Sequence, residues 1–211
     1  MKKNRLILVC STILLFINCS DNKKKSENKK IINTDSIELT TLTRNVYKWH
    51  VTESLDDFPY KYDKEEDTIF VGIDWNKYND NIELFKQTNF FSTTFLESHK
   101  TIAIILDTSI KKADIRWRNS NDGMSLWETG ADNWCGCQDY IDNYWNIITI
   151  DSLIVNGNKA DFIWTWDKNY SHTYKLTAKK EDGKWKINSL NGFKNFYTVE
   201  EYDKMMRINK L

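Results

Sequence analysis

The chain has 211 residues, of which 30 are basic and 30 are acidic, so its formal net charge is zero. A balanced charge argues against binding nucleic acid through a basic field, and no nucleic-acid partner is expected. A single proline and seven glycines argue against a fibrous or loop-rich protein. The length suits one domain with a sizeable core, and nine tryptophans predict that this core, or a pocket in it, is aromatic.

The first 20 residues have the pattern of an export signal. Lys2, Lys3 and Arg5 precede an apolar run over residues 6–17, which is shorter than the about 20 residues that span a bilayer. A basic start and a short apolar run are typical of a secretory signal. A cut before Cys19 leaves 27 basic and 30 acidic side chains, a net charge of −3.

The segment Leu14–Ser20 resembles the relaxed lipobox of lipoproteins from the Bacteroidota, in which the cysteine becomes the lipidated first residue. The resemblance implies a signal peptide over residues 1–18, lipidation of Cys19 with palmitate-type acyl chains, and the membrane as a partner through that lipid. Ser20 replaces the aspartate of an inner-membrane retention signal, and residues 21–25 lack the run of acids of a surface-export tag. An outer-membrane lipoprotein facing the periplasm is therefore expected. Surface display is one alternative, and plain secretion with an incidental cysteine is another.

The composition divides the remaining chain into a tether and one domain. Residues 19–34 are rich in lysine, asparagine and serine, which predicts a flexible lipidated tether. A single domain is expected over residues 35–211. Asp35, with Glu38 three residues later, fits the N-cap of an amphipathic helix over residues 36–54.

The middle of the chain has weaker signals. A short edge strand is predicted over residues 68–71 and a short helix around residues 81–86. Ser92 is the expected N-cap of a longer helix over residues 93–112, whose apolar side chains recur at helical spacing. Residues 118–137 then form a long loop with three glycines, and loops of that length are more often functional than not.

The C-terminal third alternates apolar and polar residues with a period of two, which predicts a meander of four antiparallel strands with one apolar face. Asn156-Gly157 and Glu181-Asp182-Gly183 supply hairpin turns. Thr198 and Glu201 form a capping box for a last helix. Helices followed by a one-sided meander predict an α+β fold.

Three motifs carry a resemblance to a known superfamily: Val46–Trp49 on the first helix, Gln138–Tyr140 before the first long strand, and Glu181–Ile187 at the last hairpin. Together they resemble the nuclear transport factor 2-like, or cystatin-like, superfamily over residues 36–195. The resemblance implies N-terminal helices packed on a curved antiparallel meander that forms a cone with a pocket, to which this chain adds a C-terminal helix. Because the superfamily includes enzymes, ligand binders and inert adaptors, the fold does not select a function.

Cys135-Gly136-Cys137, beside Trp134, is the most conspicuous motif of the long loop. Three interpretations are open. The pair is a redox-active disulfide, a soft metal site completed by a histidine, or a structural pair that pins the loop in an oxidising compartment. Two cysteines one residue apart, with no histidine nearby in the sequence, favour the structural interpretation.

Acidic residues around the same loop, and a histidine on a predicted strand, offer a catalytic alternative. Asp132, Asp139 and Asp142 are spaced unlike any calcium loop, so a solvated polar loop is favoured and no metal is expected. His172 lies on the apolar face of a strand, where a core role is favoured. Paired with Asp139 it would form an acid–base pair of a hydrolase or isomerase.

Four tryptophans on the predicted strands are the candidate ligand-binding residues: Trp145, Trp164, Trp166 and Trp185. Core packing is their default role, and the wall of a pocket for an apolar or sugar-like ligand is the alternative. The sequence therefore predicts a non-catalytic, lipid-anchored envelope protein, without a cofactor, that binds a small molecule, glycan, peptide or envelope protein. An enzyme and a purely structural interaction module are the alternatives.

Overall fold

A computed structural model of the protein describes residues 21–112, 132–135, 137, 140–166, 173–194, 198, 200, 201 and 204, with side chains from residue 34 onward except that of Lys194. The chain divides into two units, residues 1–35 and 36–211. The first unit is described from Asp21, and from there it is helical. The strands and the later helices all belong to the second unit.

The first helix, α1, spans Asp21–Glu53 and begins earlier than the sequence predicts. Residues 21–34, predicted to be a flexible tether, are helical. Their lysines and glutamate are good helix formers, and no glycine or proline interrupts the stretch. Asp35 consequently lies inside the helix and is 3% exposed, so the prediction that it caps the helix was wrong.

A two-stranded antiparallel sheet follows α1, formed by β1 (Tyr60–Tyr62) and β2 (Phe70–Ile73). The strand predicted over residues 68–71 overlaps β2. β1 was not predicted, because the proline and acidic residues around it indicate a loop.

The second helix, α2, spans Trp75–Thr88 and is longer than the short helix predicted around residues 81–86. It begins where the carboxylate of Asp74 accepts the backbone N–H groups of Asn76 and Lys77, each at 3.2 Å.

The third helix, α3, spans Thr93–Lys112, as predicted. The Ser92 hydroxyl oxygen accepts the backbone N–H of Phe95 at 3.1 Å, which confirms the predicted N-cap. This helix buries one side along most of its length, through Phe95, Ala103, Leu106 and Ile110.

Asp107 on α3 fastens the helix to β2. Its carboxylate accepts the backbone N–H of Ile73 at 2.9 Å and the ammonium of Lys111 at 2.7 Å. Gly72 lies against the same carboxylate, and a Cβ there would collide with it. Burial raises the pKa of Asp107, but the hydrogen bonds and the charge of Lys111 outweigh burial and hold the pKa below its ordinary 3.8.

The predicted meander is confirmed. A four-stranded antiparallel sheet contains β3 (Thr149–Asn156), β4 (Lys159–Thr165), β5 (Tyr174–Glu181) and β6 (Lys184–Leu190) in sequence order.

Both predicted hairpins form, with one adjustment. The turn between β3 and β4 has Gly157 and Asn158 at its centre, one residue later than Asn156-Gly157, and Gly157 takes a φ of 61°. Between β5 and β6, Asp182 and Gly183 have φ values of 53° and 76°, as a type I′ turn requires.

One hydrophobic core lies on the inner face of the four-stranded sheet. The strands contribute alternate residues, as the period of two predicts. Those that β4, β5 and β6 contribute to the hydrophobic core are Ala160, Phe162, Trp164, Leu176, Ala178, Trp185, Ile187 and Leu190. α1 adds Leu39, Val46 and Tyr47 to the same core. The molecule is therefore an α+β protein in which helices cover one face of an antiparallel sheet.

The chain itself covers the outer edge of β6. The backbone N–H of Ser92 donates to the carbonyl of Ile187 at 2.9 Å, and the N–H of Ile187 donates to the carbonyl of Phe90 at 2.7 Å. The segment just before α3 therefore runs beside β6 as a short parallel bridge.

The predicted C-terminal capping box is present. The backbone N–H of Thr198 donates to the Glu201 carboxylate at 2.8 Å, and the N–H of Glu201 donates to the Thr198 hydroxyl oxygen at 3.2 Å. Glu200, Glu201 and Lys204 are helical, and the rest of the predicted last helix lies outside the described residues. Within the described part of the chain, no helix has the length and apolar character needed to cross a membrane.

Candidate functional site

The four candidate tryptophans occupy two different environments. Trp164 and Trp185 are 0% and 5% exposed and belong to the core. Trp145 and Trp166 are half-buried and pack against the edge of that core. Only the second pair is placed to contact a ligand without opening the core.

Trp145 and Trp166 belong to a continuous group of rings. The aromatic surface is defined here as Tyr140, Trp145, Trp166 and Tyr174. The first three pack around the buried Tyr144, and Tyr174 packs against Trp166. The ring of Tyr144 lies 5.1 Å from Tyr140, 5.7 Å from Trp145 and 5.2 Å from Trp166, between centroids. Trp166 in turn lies 4.9 Å from Tyr174. Aromatic pairs attract each other at such separations, so the four rings and Tyr144 form one connected cluster.

A second layer of rings supports this surface from below. Trp164 lies 4.6 Å from Tyr174 and 4.6 Å from Tyr47 of α1, between centroids. Burial raises the pKa of Tyr174 to about 12 and that of Tyr144 further. Both phenols therefore stay protonated at neutral pH and can donate hydrogen bonds.

The segment Asp132–Cys137 forms a closed loop. Cys135 and Cys137 are joined by a disulfide, and both are largely buried. The backbone N–H of Asp132 donates to the carbonyl of Cys137 at 2.8 Å, and the Asp132 carboxylate accepts the N–H of Trp134 at 2.8 Å. With both sulfurs bonded to each other, no thiolate remains for the metal interpretation in this state. A Cys135–Cys137 disulfide is expected under both the structural and the redox interpretation, so its presence does not choose between them.

Trp134 anchors this loop in the core. Its indole N–H donates to the Asp57 carboxylate at 2.8 Å, and its carbonyl accepts the Tyr47 hydroxyl at 2.8 Å. His50 stacks on its ring at 4.1 Å between centroids. A Cβ at Gly192 would collide with the backbone of Asn133, so the chain after β6 also lies tightly against the loop.

A buried polar network, which the sequence did not indicate, extends from Asp57. His99 of α3 lies 3.5 Å from the Asp57 carboxylate through Nε2 and 3.0 Å from the Tyr78 hydroxyl through Nδ1. Asn133 donates to the second Asp57 oxygen at 2.6 Å. His99 and Asp57 are 2% and 6% exposed, so the network resembles an acid–base relay without access for a substrate. Its role is to satisfy polar groups that fix the loop in the core.

A second carboxylate–histidine contact joins the loop to α1. Asp132 lies 3.5 Å from Nε2 of His50. Burial raises the pKa of Asp132, but the hydrogen bond and charge of His50, with two backbone N–H groups, outweigh burial and hold the pKa below 3.8. No spacing in the sequence connects His50 or His99 with these acids, since the partners are far apart along the chain.

The acid–base candidates Asp139 and His172 lie outside the described residues, as do Cys19 and most of the predicted loop over 118–137. Asp142 is exposed in a turn. Among the residues that the structure describes, no three histidine, cysteine or acidic side chains are grouped to hold a metal ion.

Two surface depressions lie away from the candidate tryptophans. One, of about 270 Å³, lies on the outer face of the four-stranded sheet and includes Ser152, Ile154, Asp161, Lys175 and Thr177. The other, of about 320 Å³, lies between β1 and the first half of α2. None of the four rings of the aromatic surface lines either depression.

Comparisons of the chain with protein-family models, with curated proteins and with solved structures find no match.

Proposed function

We propose that this protein is a lipid-anchored protein of the cell envelope that binds a partner, without catalysis, through its aromatic surface. The observation that carries the proposal is the exposure of large apolar side chains at that surface. Tyr140 is 44% exposed, and Ile141 and Ile147, which flank Tyr144 and Trp145 along the chain, are 55% and 45% exposed. Grouped exposure of this kind marks binding sites on soluble domains, and tyrosine and tryptophan are enriched where proteins meet.

The shape of the site favours a peptide segment or the surface of an envelope protein as the partner. The rings of the aromatic surface form no part of the two depressions, whereas a small apolar ligand is usually enclosed by its pocket. The protonated phenol of the half-buried Tyr174 can donate a hydrogen bond to a partner's carbonyl group at the edge of the rings.

The location in the envelope rests on the N-terminal sequence. The basic start, the short apolar run and Cys19 support an outer-membrane lipoprotein that faces the periplasm, with surface display as the alternative. The finer fold that we propose is the nuclear transport factor 2-like cone. Its support is the order of the elements, with helices before a one-sided meander, and the Glu181–Ile187 hairpin.

Site-specific photocrosslinking in the producing cells tests the proposal. A photoreactive phenylalanine in place of Tyr140 is expected to give a discrete crosslinked protein product. The same group in place of Tyr62 is the matched control, because both tyrosines are 44% exposed and only Tyr140 belongs to the aromatic surface.

Adding Trp166→Ala to the Tyr140 variant is expected to reduce the product at least tenfold, since aromatic anchors carry most of the energy of an interface. Circular dichroism checks that the fold is kept. A product of equal yield with and without Trp166 would contradict the proposal, and so would the same product from position 62.

A further inference from the structure

The depression of about 320 Å³ between β1 and α2 shares no residue with the aromatic surface and is not explained by partner binding. Its volume lies at the lower end of the about 300–1,000 Å³ typical of small-molecule sites. The side chains relevant to ligand chemistry are Asp56, Tyr60, Tyr62, Lys77, Asp80 and Asn81.

Two secondary-structure elements bring these side chains together. Tyr60 and Tyr62 are two residues apart on β1, and both rings pack on Phe70 of β2, at 4.6 and 5.1 Å between centroids. On α2, Lys77 lies one turn before Asp80 and Asn81, so the three project from one face of the helix. A pair of flat rings therefore faces a row of polar groups across the depression.

Most of the hydrogen-bonding capacity of these groups is unused within the described part of the chain. The hydroxyls of Tyr60 and Tyr62, the ammonium of Lys77 and the carboxylate of Asp80 make no hydrogen bond there. Burial, together with the nearby Asp56 and Tyr62, raises the pKa of Tyr60, so its phenol remains a donor at neutral pH.

The other two polar groups are partly used. One Asp56 oxygen accepts the backbone N–H of Phe58 at 3.1 Å, and the Asn81 amide nitrogen donates to the Asp56 carbonyl at 2.8 Å. The second Asp56 oxygen and the Asn81 amide oxygen remain as acceptors within the described residues. The depression therefore offers both donors and acceptors beside its rings.

This combination selects among ligand classes. Two carboxylates against one ammonium disfavour an anion such as phosphate. The number of polar groups disfavours a hydrocarbon, which would leave them without partners. A polyhydroxylated ring suits both the polar groups and the tyrosine rings of the depression. Its hydroxyls can exchange hydrogen bonds with the carboxylates, the amide, the phenols and the ammonium, while its C–H face lies on a tyrosine ring.

We propose that the depression between β1 and α2 binds a saccharide. Tyr62 supplies the exposed ring, and Asp80 and Lys77 bind sugar hydroxyls from the helix. The site is independent of the aromatic surface, so either proposal can fail without the other.

The test starts with a glycan array that covers neutral hexoses, N-acetylhexosamines and uronic acids, probed with the purified protein. The best-bound glycan is then titrated by calorimetry against the parent protein and three variants. Tyr62→Ala and Asp80→Ala are each expected to weaken binding at least tenfold. Tyr140→Ala, which truncates a tyrosine of the same exposure outside the depression, is expected to leave the affinity unchanged.

Each contrary outcome overturns the proposal. One such outcome is an array on which no glycan binds above background. A second is a loss of glycan affinity in Tyr140→Ala that is as large as the loss in Tyr62→Ala. A third is that tetramethylammonium binds in the depression and no glycan does, which would make it a cation site. Because Tyr62 and Asp80 are exposed, truncating them is not expected to unfold the protein, and circular dichroism verifies this.

Discussion

Trp134 and Trp164 are both almost inaccessible to solvent, at 2% and 0% exposure, but their indole N–H groups differ. The N–H of Trp134 donates to the Asp57 carboxylate at 2.8 Å. The N–H of Trp164 is buried and has no hydrogen-bond partner within the described residues. A buried donor without a partner is costly, so the two rings contribute differently to stability although they are buried to the same degree.

Replacing each tryptophan with phenylalanine separates the hydrogen bond from packing. Trp134→Phe and Trp164→Phe remove similar ring atoms, but only Trp134→Phe removes a hydrogen bond to a carboxylate. We expect Trp134→Phe to be the more destabilising variant by roughly 1.5–3 kcal/mol, as chemical denaturation would measure. Equal losses of unfolding free energy would contradict the importance of Asp57 as an anchor of the disulfide loop.

At the scale of elements, the contact between α3 and β2 depends on a glycine. Gly72 has a φ of 141° and lies against the Asp107 carboxylate, whereas Gly157 has a φ of 61° with open space around its Cα. Gly72→Ala adds a collision to backbone strain that costs about 1–3 kcal/mol, and Gly157→Ala adds strain alone. We expect thermal denaturation to show a clearly larger loss for Gly72→Ala. If Gly157→Ala loses as much thermal stability as Gly72→Ala, the Asp107 carboxylate moves aside freely to accommodate the added Cβ.

The same contact predicts a dependence on acid. Because the folded-state pKa of Asp107 lies below 3.8, ionised Asp107 stabilises the fold above that pH, and the contribution is lost as pH falls through the lowered pKa. Asp107→Asn is expected to cost on the order of 1 kcal/mol at pH 7. Urea titrations at pH 7 and near pH 3 should show that this difference shrinks in acid. A difference that stays constant over this range would rule out the charge of Asp107 as its source.

Elements with local signals were predictable from the sequence, and contacts between distant residues were not. α3 has a capping serine and a regular apolar stripe, and the meander has its period of two and glycine turns, so both were predicted correctly. β1 has only three residues beside a proline, so neighbouring residues indicated a loop. Among the candidate rings, the period of two grouped Trp166 with Trp164, although Trp166 lies just after the end of β4. Its partner Tyr144 precedes the strands and reaches the cluster only through the fold.

At the scale of the whole molecule, Cys19 is the predicted attachment to the membrane. Cys19→Ala is expected to move the protein from the membrane fraction to the soluble fraction, because the proposal assigns the stable anchoring to acyl chains on Cys19. Fractionation followed by immunoblotting measures the change, and Cys10→Ala in the same signal region is the control that should stay in the membrane fraction. Membrane association of the Cys19 variant equal to that of the parent protein would contradict lipidation as the anchor.

The pairing of residues 90–92 with β6 also bears on how the protein behaves when crowded. An open strand edge is a template onto which another chain can add, which is a common start of aggregation. Ser92 and Phe90 occupy the backbone groups of Ile187 that would otherwise be offered there. Addition of a foreign strand at β6 would first have to displace the start of α3, so this side of the sheet is protected. If the proposed lipid concentrates the molecules on a membrane, such protection favours a population that stays dispersed.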